Sequence, residues 1–232
     1  STRKESSAAS DVYKRQVVTP PVPSFPLNPD KADWSVWDFP DVVDHWNFPG
    51  YEGKKMTVSV YSNCEQVELF LNGESLGKQE NTADKKNTLV WEVPYAHGIL
   101  KAVSYNKGGE VGTATLESAG KVEKIRLSAD RTEIVADGND LSYITLELVD
   151  SKGIRNQLAE ELVEFSIEGD ATIEGVGNAN PMSIESFVAN SRKTWRGSNL
   201  LVVRSGKSSG RIIVTAKVKA LPVASITITQ KK

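Results

Sequence analysis

Lys54-Lys-Met-Thr-Val-Ser-Val-Tyr-Ser-Asn-Cys-Glu-Gln-Val-Glu-Leu-Phe-Leu-Asn-Gly73 is the stretch of sequence that decides the fold. Apolar and polar side chains alternate in both of its halves, which is the period of a half-buried β-strand. The dipeptide Asn72-Gly73 then supplies the two residues of positive φ that a type I′ hairpin turn needs. The stretch predicts two strands and a tight hairpin, with Phe70 facing outward. The apolar positions predicted to face inward are Met56, Val58, Val60, Val67, Leu69 and Leu71.

The rest of the chain continues this pattern of short strands, and no segment keeps a helical period for more than a turn or two. Short strands joined by glycine turns are typical of β-sandwiches. We therefore predict an all-β chain with two tandem sandwiches, residues 33–120 and 121–232. Strands of the first sandwich are predicted near residues 54–62, 66–72, 75–80, 87–93, 98–106 and 110–117.

Residues 1–32 differ in character from everything that follows. Ser1 to Gln16 is polar and has no sustained period, as in a tag or an assembly artefact. The prolines that follow favour a stiff, extended linker. We therefore expect residues 1–32 to be a disordered tag or a proline-rich linker that precedes the sandwiches. These prolines are Pro20, Pro21, Pro23, Pro26 and Pro29.

Composition and charge exclude several classes of protein. The net charge of −2 over 232 residues gives no electrostatic footprint for nucleic acid or an anionic membrane, and no apolar run reaches the roughly 20 residues of a spanning helix.

Few residues of this chain could bind a metal or form a disulfide. Cys64 is the only cysteine, and His45 and His97 are the only histidines, so we expect no disulfide, metal site or cofactor. Residues 137–140, Asp-Gly-Asn-Asp, predict a plain turn, since they lack the spacing of a calcium loop. No signal peptide is visible, as expected for a cytosolic, processed or internal segment.

Three motifs together resemble the β-sandwich module that follows the catalytic barrel in bacterial glycoside hydrolase family 2 enzymes of the β-galactosidase type. They are the entry segment His45-Trp-Asn-Phe48, the strand end Tyr61-Ser-Asn-Cys64 and the hairpin Val67-Glu-Leu-Phe-Leu-Asn-Gly73. The second unit resembles bacterial immunoglobulin-like modules of the invasin type. Through Ile173-Glu-Gly-Val-Gly-Asn-Ala-Asn-Pro181 it resembles more narrowly the last module of the same glycosidases. The resemblance implies two immunoglobulin-like sandwiches.

The resemblance also implies a function. Retaining glycosidases need two carboxylates roughly 5 Å apart. In the resembled family both are glutamates of a (β/α)₈ barrel, and the acid/base follows an asparagine. This chain has no Asn-Glu dipeptide and is too short for such a barrel, so we predict no catalytic residue in it.

The resemblance implies that this chain is the non-catalytic accessory region of a bacterial, periplasmic or extracellular glycoside hydrolase acting on β-linked galactosides or related sugars. Its partner would be the catalytic barrel of the same parent chain, which it would buttress or whose site it would shape. The alternatives are a stand-alone carbohydrate-binding module and a cell-surface adhesion spacer.

A long predicted loop, residues 174–199, carries two of the candidate contact residues. Long irregular loops are often functional, and an indole face can stack on a sugar ring. We expect Phe187 and Val188 to pin this loop to the sandwich and leave Glu185 and Trp195 pointing outward. The alternative is a structural crossover in which Arg192 or Lys193 pairs with Glu185. The carbohydrate-contact candidates are His45, Trp46, Glu185 and Trp195.

The tryptophans also have structural interpretations beside a sugar-stacking one. The alternative is that they fill the join between the barrel and the sandwich, or between the two sandwiches, which applies to Trp34, Trp37, Trp46 and Trp195. Trp91 alternates with Leu89 and Val93, which predicts a position in the core. For His45, the alternative to a hydrogen bond with a sugar hydroxyl is a structural histidine beside Trp46.

Overall fold

The computed structural model describes residues 14–22 and 41–232, and these ranges consist almost entirely of strands, turns and irregular connections. The all-β prediction is therefore confirmed. The chain divides into two compact units, Ser1–Ser118 and Ala119–Lys232. Among the described residues, no helix has the length and apolar character that crossing a membrane would require.

Two antiparallel sheets form the first unit. The strands are β1 Lys14–Val18, β2 Lys55–Ser62, β3 Gln66–Leu71, β4 Glu74–Glu80, β5 Thr88–Pro94, β6 Ile99–Asn106 and β7 Gly109–Glu117. One sheet has the strand order β1-β2-β5 and the other the order β4-β3-β6-β7. A short 3₁₀ helix, Ala83–Lys85, connects β4 to β5.

The quoted stretch folds as its alternation predicts. Leu69 is fully buried, whereas Phe70 on the opposite face is half-buried. Asn72 and Gly73 have φ values of 52° and 88° and join β3 to β4. Trp91 is buried beside the same core, as predicted. Side-chain alternation and turn chemistry therefore place β2, β3 and β4 correctly.

The N-terminal segment departs from the prediction. Residues 14–18 are not part of a disordered tag, because β1 pairs antiparallel with β2 along its whole length, from Lys14 opposite Ser62 to Val18 opposite Val58. Val17 and Val18 are buried, so two β-branched side chains add to the core. Trp34, Trp37 and the linker prolines Pro23, Pro26 and Pro29 lie outside the described residues.

The second unit also consists of two sheets. The strands are β8 Lys124–Ala129, β9 Glu133–Val135, β10 Leu141–Val149, β11 Leu162–Glu168, β12 Ala171–Gly177, β13 Ser191–Lys193, β14 Ser198–Ser205, β15 Gly210–Val218 and β16 Ala224–Lys231. The sheet orders are β12-β14-β10-β8 and β13-β11-β15-β16-β9. All the pairings are antiparallel except that of β9 with β16. The apolar core includes Leu146, Phe165 and Ile212.

The predicted loop 174–199 is shorter than expected. Strand β12 continues to Gly177, and the short strand β13 pairs with β11. What remains irregular between them is residues 178–190, called here the 178–190 loop. The glycines around Val176 mislead the sequence prediction, because they lie within a strand that has a register shift between Ile173 and Gly175.

Candidate functional site

The 178–190 loop begins with two asparagines that fold it locally. The side-chain oxygen of Asn178 accepts a hydrogen bond from the Asn180 amide at 3.1 Å, and that of Asn180 accepts one from the Met182 amide at 3.0 Å. Such side-chain to backbone bonds two residues apart define Asx turns. The Asn178 amide group also donates to the carbonyl of Lys193 at 2.9 Å. These bonds fold the start of the loop into two turns and tie it to β13.

Arg192 of β13 holds the middle of the loop from beneath. Its side chain is fully buried. One terminal nitrogen donates to the carbonyls of Val176 at 3.2 Å and Glu185 at 3.1 Å, and the other to the Ser183 hydroxyl at 3.0 Å. Within the described part of the chain, the Arg192 Nε has no hydrogen-bond partner. The fork of the guanidinium therefore ties β12 to two points of the loop.

Glu185 closes the loop from the other side. One carboxylate oxygen accepts a hydrogen bond from the Lys193 backbone amide at 3.1 Å, and the other accepts one from the Ser183 hydroxyl at 3.0 Å. The structural alternative predicted an ion pair with Arg192 or Lys193. Both residues do contact Glu185, but Arg192 reaches its carbonyl and Lys193 uses its backbone amide. The half-buried carboxylate is engaged within its own loop.

The apolar residues of the loop point the opposite way from the prediction. Phe187 and Val188 are not buried against the sandwich as predicted, since the two residues are 61% and 80% exposed. The Phe187 ring does contact the guanidinium of Arg192 beneath it. Met182 is 60% exposed and Ile184 is 101% exposed. The loop is held instead by its backbone, since the Val176 amide donates to the Phe187 carbonyl at 2.8 Å. A Cβ on Gly175 would lie only 3.1 Å from that carbonyl oxygen, so glycine permits this close approach.

Trp195 lies in a tight turn between β13 and β14. Its indole is half-buried, and the guanidinium carbon of Arg196 lies 4.6 Å from the ring centre. Arg196 and Gly197 have φ values of 51° and 68°. A Cβ at position 197 would approach the Asn156 carbonyl oxygen to 2.2 Å, which makes glycine necessary there. Arg196 lies against the indole of Trp195, and part of this half-buried residue is exposed to solvent.

Trp46 cannot contact carbohydrate, which corrects the prediction for this residue. It is fully buried in the first unit, and its indole nitrogen donates to the Ala96 carbonyl at 2.8 Å. Its ring packs edge-on against Phe48 and Tyr95, at centroid distances of 6.1 and 5.0 Å. A buried indole with its N–H satisfied is a core residue.

His45 is half-buried at the entry to the same unit. Its Nδ1 accepts a hydrogen bond from the Asn47 amide at 3.2 Å, and its ring lies 4.9 Å from that of Phe48. These contacts are those of the structural histidine that was the alternative, and a sugar contact of the half-buried ring stays a prediction. It lies in the first unit, whereas Glu185 and Trp195 lie in the second.

The two aspartates of the turn 137–140 bind neighbouring residues of the same unit. Asp137 accepts hydrogen bonds from the amides of Asn139 and Asp140 at 2.8 and 2.9 Å, and Asp140 pairs with Arg131 at 2.8 Å. The two backbone bonds to Asp137 hold the pKa of its carboxyl below the usual value. Across residues 14–22 and 41–232, no group of three or more His, Cys, Asp or Glu side chains is arranged to hold a metal ion.

The central position of Arg192 was not predicted from the sequence. The prediction gave this residue only as an ion-pair partner of Glu185, whereas the structure buries it between β12 and the loop. The available signal is the loop itself. A non-repetitive segment leaves carbonyls without ladder partners, and an arginine next to it can satisfy several of them.

Comparisons with known proteins identify what both units are similar to. Residues 125–227 match the family described as glycoside hydrolase family 2 C-terminal domain 5, and residues 53–112 match a domain of unknown function, DUF4982. The chain is 32% identical over 203 residues to the β-galactosidase BoGH2A of Bacteroides ovatus, which covers 87% of this chain and 24% of that enzyme. It is 30% identical over 205 residues to a β-glucuronidase of Formosa agariphila, which covers 85% of this chain and 20% of that enzyme.

A solved structure shows the same fold. A glycosyl hydrolase family 2 member from Bacteroides cellulosilyticus superposes with a TM-score of 0.93 and 97% sequence identity. The match covers 95% of this chain and 28% of that one. The chain therefore spans about a quarter of the length of the proteins it matches.

Proposed function

We propose that this chain is the accessory region of a retaining enzyme that acts on β-linked galactosides or related sugars. The chain belongs to the C-terminal β-sandwich modules of bacterial glycoside hydrolase family 2 enzymes. The observation that carries the proposal is the extent of the match. Nearly all of this chain corresponds to about a quarter of each relative. The remaining part of the parent would hold the catalytic barrel.

The one buried carboxylate among the described residues has contacts typical of a structural role. A retaining mechanism needs a nucleophile and an acid/base roughly 5 Å apart in a pocket. Asp150, the one buried carboxylate among the described residues, instead accepts backbone hydrogen bonds from Gly120, Lys152 and Ile154 at 2.8–3.0 Å. Burial raises its pKa, but these amides together outweigh burial and hold the pKa below the usual value for aspartate. Such a group stays ionised and organises a turn.

The substrate class and the compartment are the finer parts of the proposal. The matched relatives are named β-galactosidase and β-glucuronidase, so both sugars belong to the test. We propose a β-galactoside, and a periplasmic or extracellular location, as the resemblance implies. The chain would contribute by supporting the barrel and by placing the 178–190 loop and Trp195 near the rim of its site.

The test is an assay of the full-length parent protein. It should hydrolyse an aryl β-galactoside faster than the matching β-glucuronide, and NMR of the first-formed sugar should show retention of the β anomer. A parent that hydrolyses neither substrate, or that inverts the anomeric centre, would overturn the proposal. Faster turnover of the glucuronide would overturn the assignment of the sugar alone.

A further inference from the structure

Four apolar residues between positions 182 and 188 of the 178–190 loop are exposed on the second unit. These residues, called here the apolar crest, are Met182, Ile184, Phe187 and Val188. All four residues are at least 60% exposed, and Ile184 is completely exposed. Single exposed apolar residues are ordinary on a protein surface, but several clustered in one short segment mark a surface that has a partner.

The crest is held in place rather than left to collapse onto the sandwich. Beneath it, Arg192 bonds to Ser183 and Glu185, and its guanidinium carbon lies 4.2 Å from the centre of the Phe187 ring. The Glu185 carboxylate and the backbone bond from Val176 to Phe187 fix the same segment. A buried arginine is costly to accommodate. A loop that keeps one beneath apolar side chains is preorganised to present them.

The chemistry of the crest indicates protein rather than carbohydrate as the partner. Three of its four residues are aliphatic or thioether side chains, which carry neither a flat ring for a sugar face nor a hydrogen-bonding group for its hydroxyls. They gain free energy by leaving water against another apolar surface. Glycan binding would call for aromatic and polar side chains in their place.

The length of the relatives indicates which protein covers the apolar crest. About three quarters of the matched chains lies outside the region that this chain covers. A partner on the same polypeptide is present at high effective concentration, and permanent interfaces are more apolar than transient ones. We propose that the apolar crest is the surface on which the remaining part of the parent polypeptide packs. This inference deepens the proposed function and rests on it.

Thiol labelling at Ile184 tests the inference directly. Ile184→Cys places a thiol at the most exposed position, and the native Cys64 is buried and does not compete. Val188→Cys provides a second reporter on the crest. Ser209→Cys is the matched control, because Ser209 is exposed in the polar connection between β14 and β15 of the same unit. Each variant is labelled with a maleimide in the 232-residue chain and in the full-length parent, over a range of protein concentrations.

The expected result is fast labelling of the Ile184→Cys and Val188→Cys variants in the isolated chain. In the parent, labelling should be about tenfold slower, or slower still, because a covered thiol reacts only when its surface opens. The Ser209→Cys variant should react equally in both proteins. Equal labelling of the crest in both proteins would overturn the inference. So would protection that already appears in the isolated chain and grows with concentration, since a second copy would then be the occupant. Glycosidase activity of the same parent preparation reports separately on the proposed function.

Discussion

The guanidinium carbon of Arg192 lies 4.2 Å from the centre of the Phe187 ring, so that a fully buried cation supports a ring that is 61% exposed. The contact joins the interior of the second unit to its apolar crest. Cation–π attraction is strongest where water is excluded on the cation side. The arginine accordingly acts as the anchor of the loop, and the phenylalanine is presented at its surface.

Loss of this anchor should destabilise the second unit. Arg192→Ala leaves the carbonyls of Val176 and Glu185 without their donor and opens a cavity, and we expect it to lower the free energy of unfolding by about 2–4 kcal/mol. Lys193→Ala is the control, because the exposed Lys193 contributes to the loop through its backbone, and it should cost less than about 0.5 kcal/mol. Urea unfolding measures both. Equal costs would contradict the role assigned to Arg192.

The two rim candidates should differ in how they act. In the full-length parent, we expect Trp195→Ala and Glu185→Gln each to lower kcat/KM on the aryl β-galactoside. Since the Glu185 carboxylate holds the loop through Lys193 and Ser183, Glu185→Gln should also make the loop easier to cleave in limited proteolysis. Trp195→Ala should leave the cleavage rate unchanged. Wild-type kinetics for both variants would show that neither residue reaches the active site.

The faces of β3 can be checked by a pair of neighbouring substitutions. Leu69→Ala removes a fully buried side chain and should cost about 2–5 kcal/mol of unfolding free energy. Phe70→Ala acts on a half-buried residue of the opposite face and should cost clearly less. Urea melts of both variants decide the order. The reverse order would mean that the sheet containing β3 buries its other face.

Strand β1 should contribute measurably to the first unit. Removal of residues 1–18 takes away the pairing with β2 and the buried Val17 and Val18, and we expect a loss of about 3 kcal/mol or more in the stability of that unit. Removal of residues 1–13 alone is the matched control, since it leaves β1 in place. If the two truncated chains unfold at the same urea concentration, β1 adds nothing to stability.

Local pattern was enough to predict most of the strands but not the first one. Alternation and the Asn72-Gly73 turn determine β2, β3 and β4 from neighbouring residues alone. By contrast, the only apolar residues of β1 are Val17 and Val18, which lie between polar residues and prolines in the sequence. Its strand conformation depends on pairing with β2, which begins only at Lys55. Non-local pairing of this kind leaves no periodic signal in the sequence.

The same distinction explains the errors at the site. The burial of Trp46 is decided by Tyr95 and Ala96, which a sequence motif around Trp46 does not reveal. The direction of Phe187 is decided by the hydrogen bonds of Arg192 and Val176 to the loop backbone. An irregular segment takes its shape from such individual bonds, so its residues can be recognised from sequence while their orientation cannot.

The most direct test of the central claim is the activity of the 232-residue chain alone. Incubated with an aryl β-galactoside and related aryl β-glycosides, it should show no turnover above the uncatalysed rate, because the catalytic carboxylates are proposed to lie in the remaining part of the parent. Turnover that persists through repurification, and that is lost when one of this chain's own carboxylates is replaced by its amide, would contradict the account.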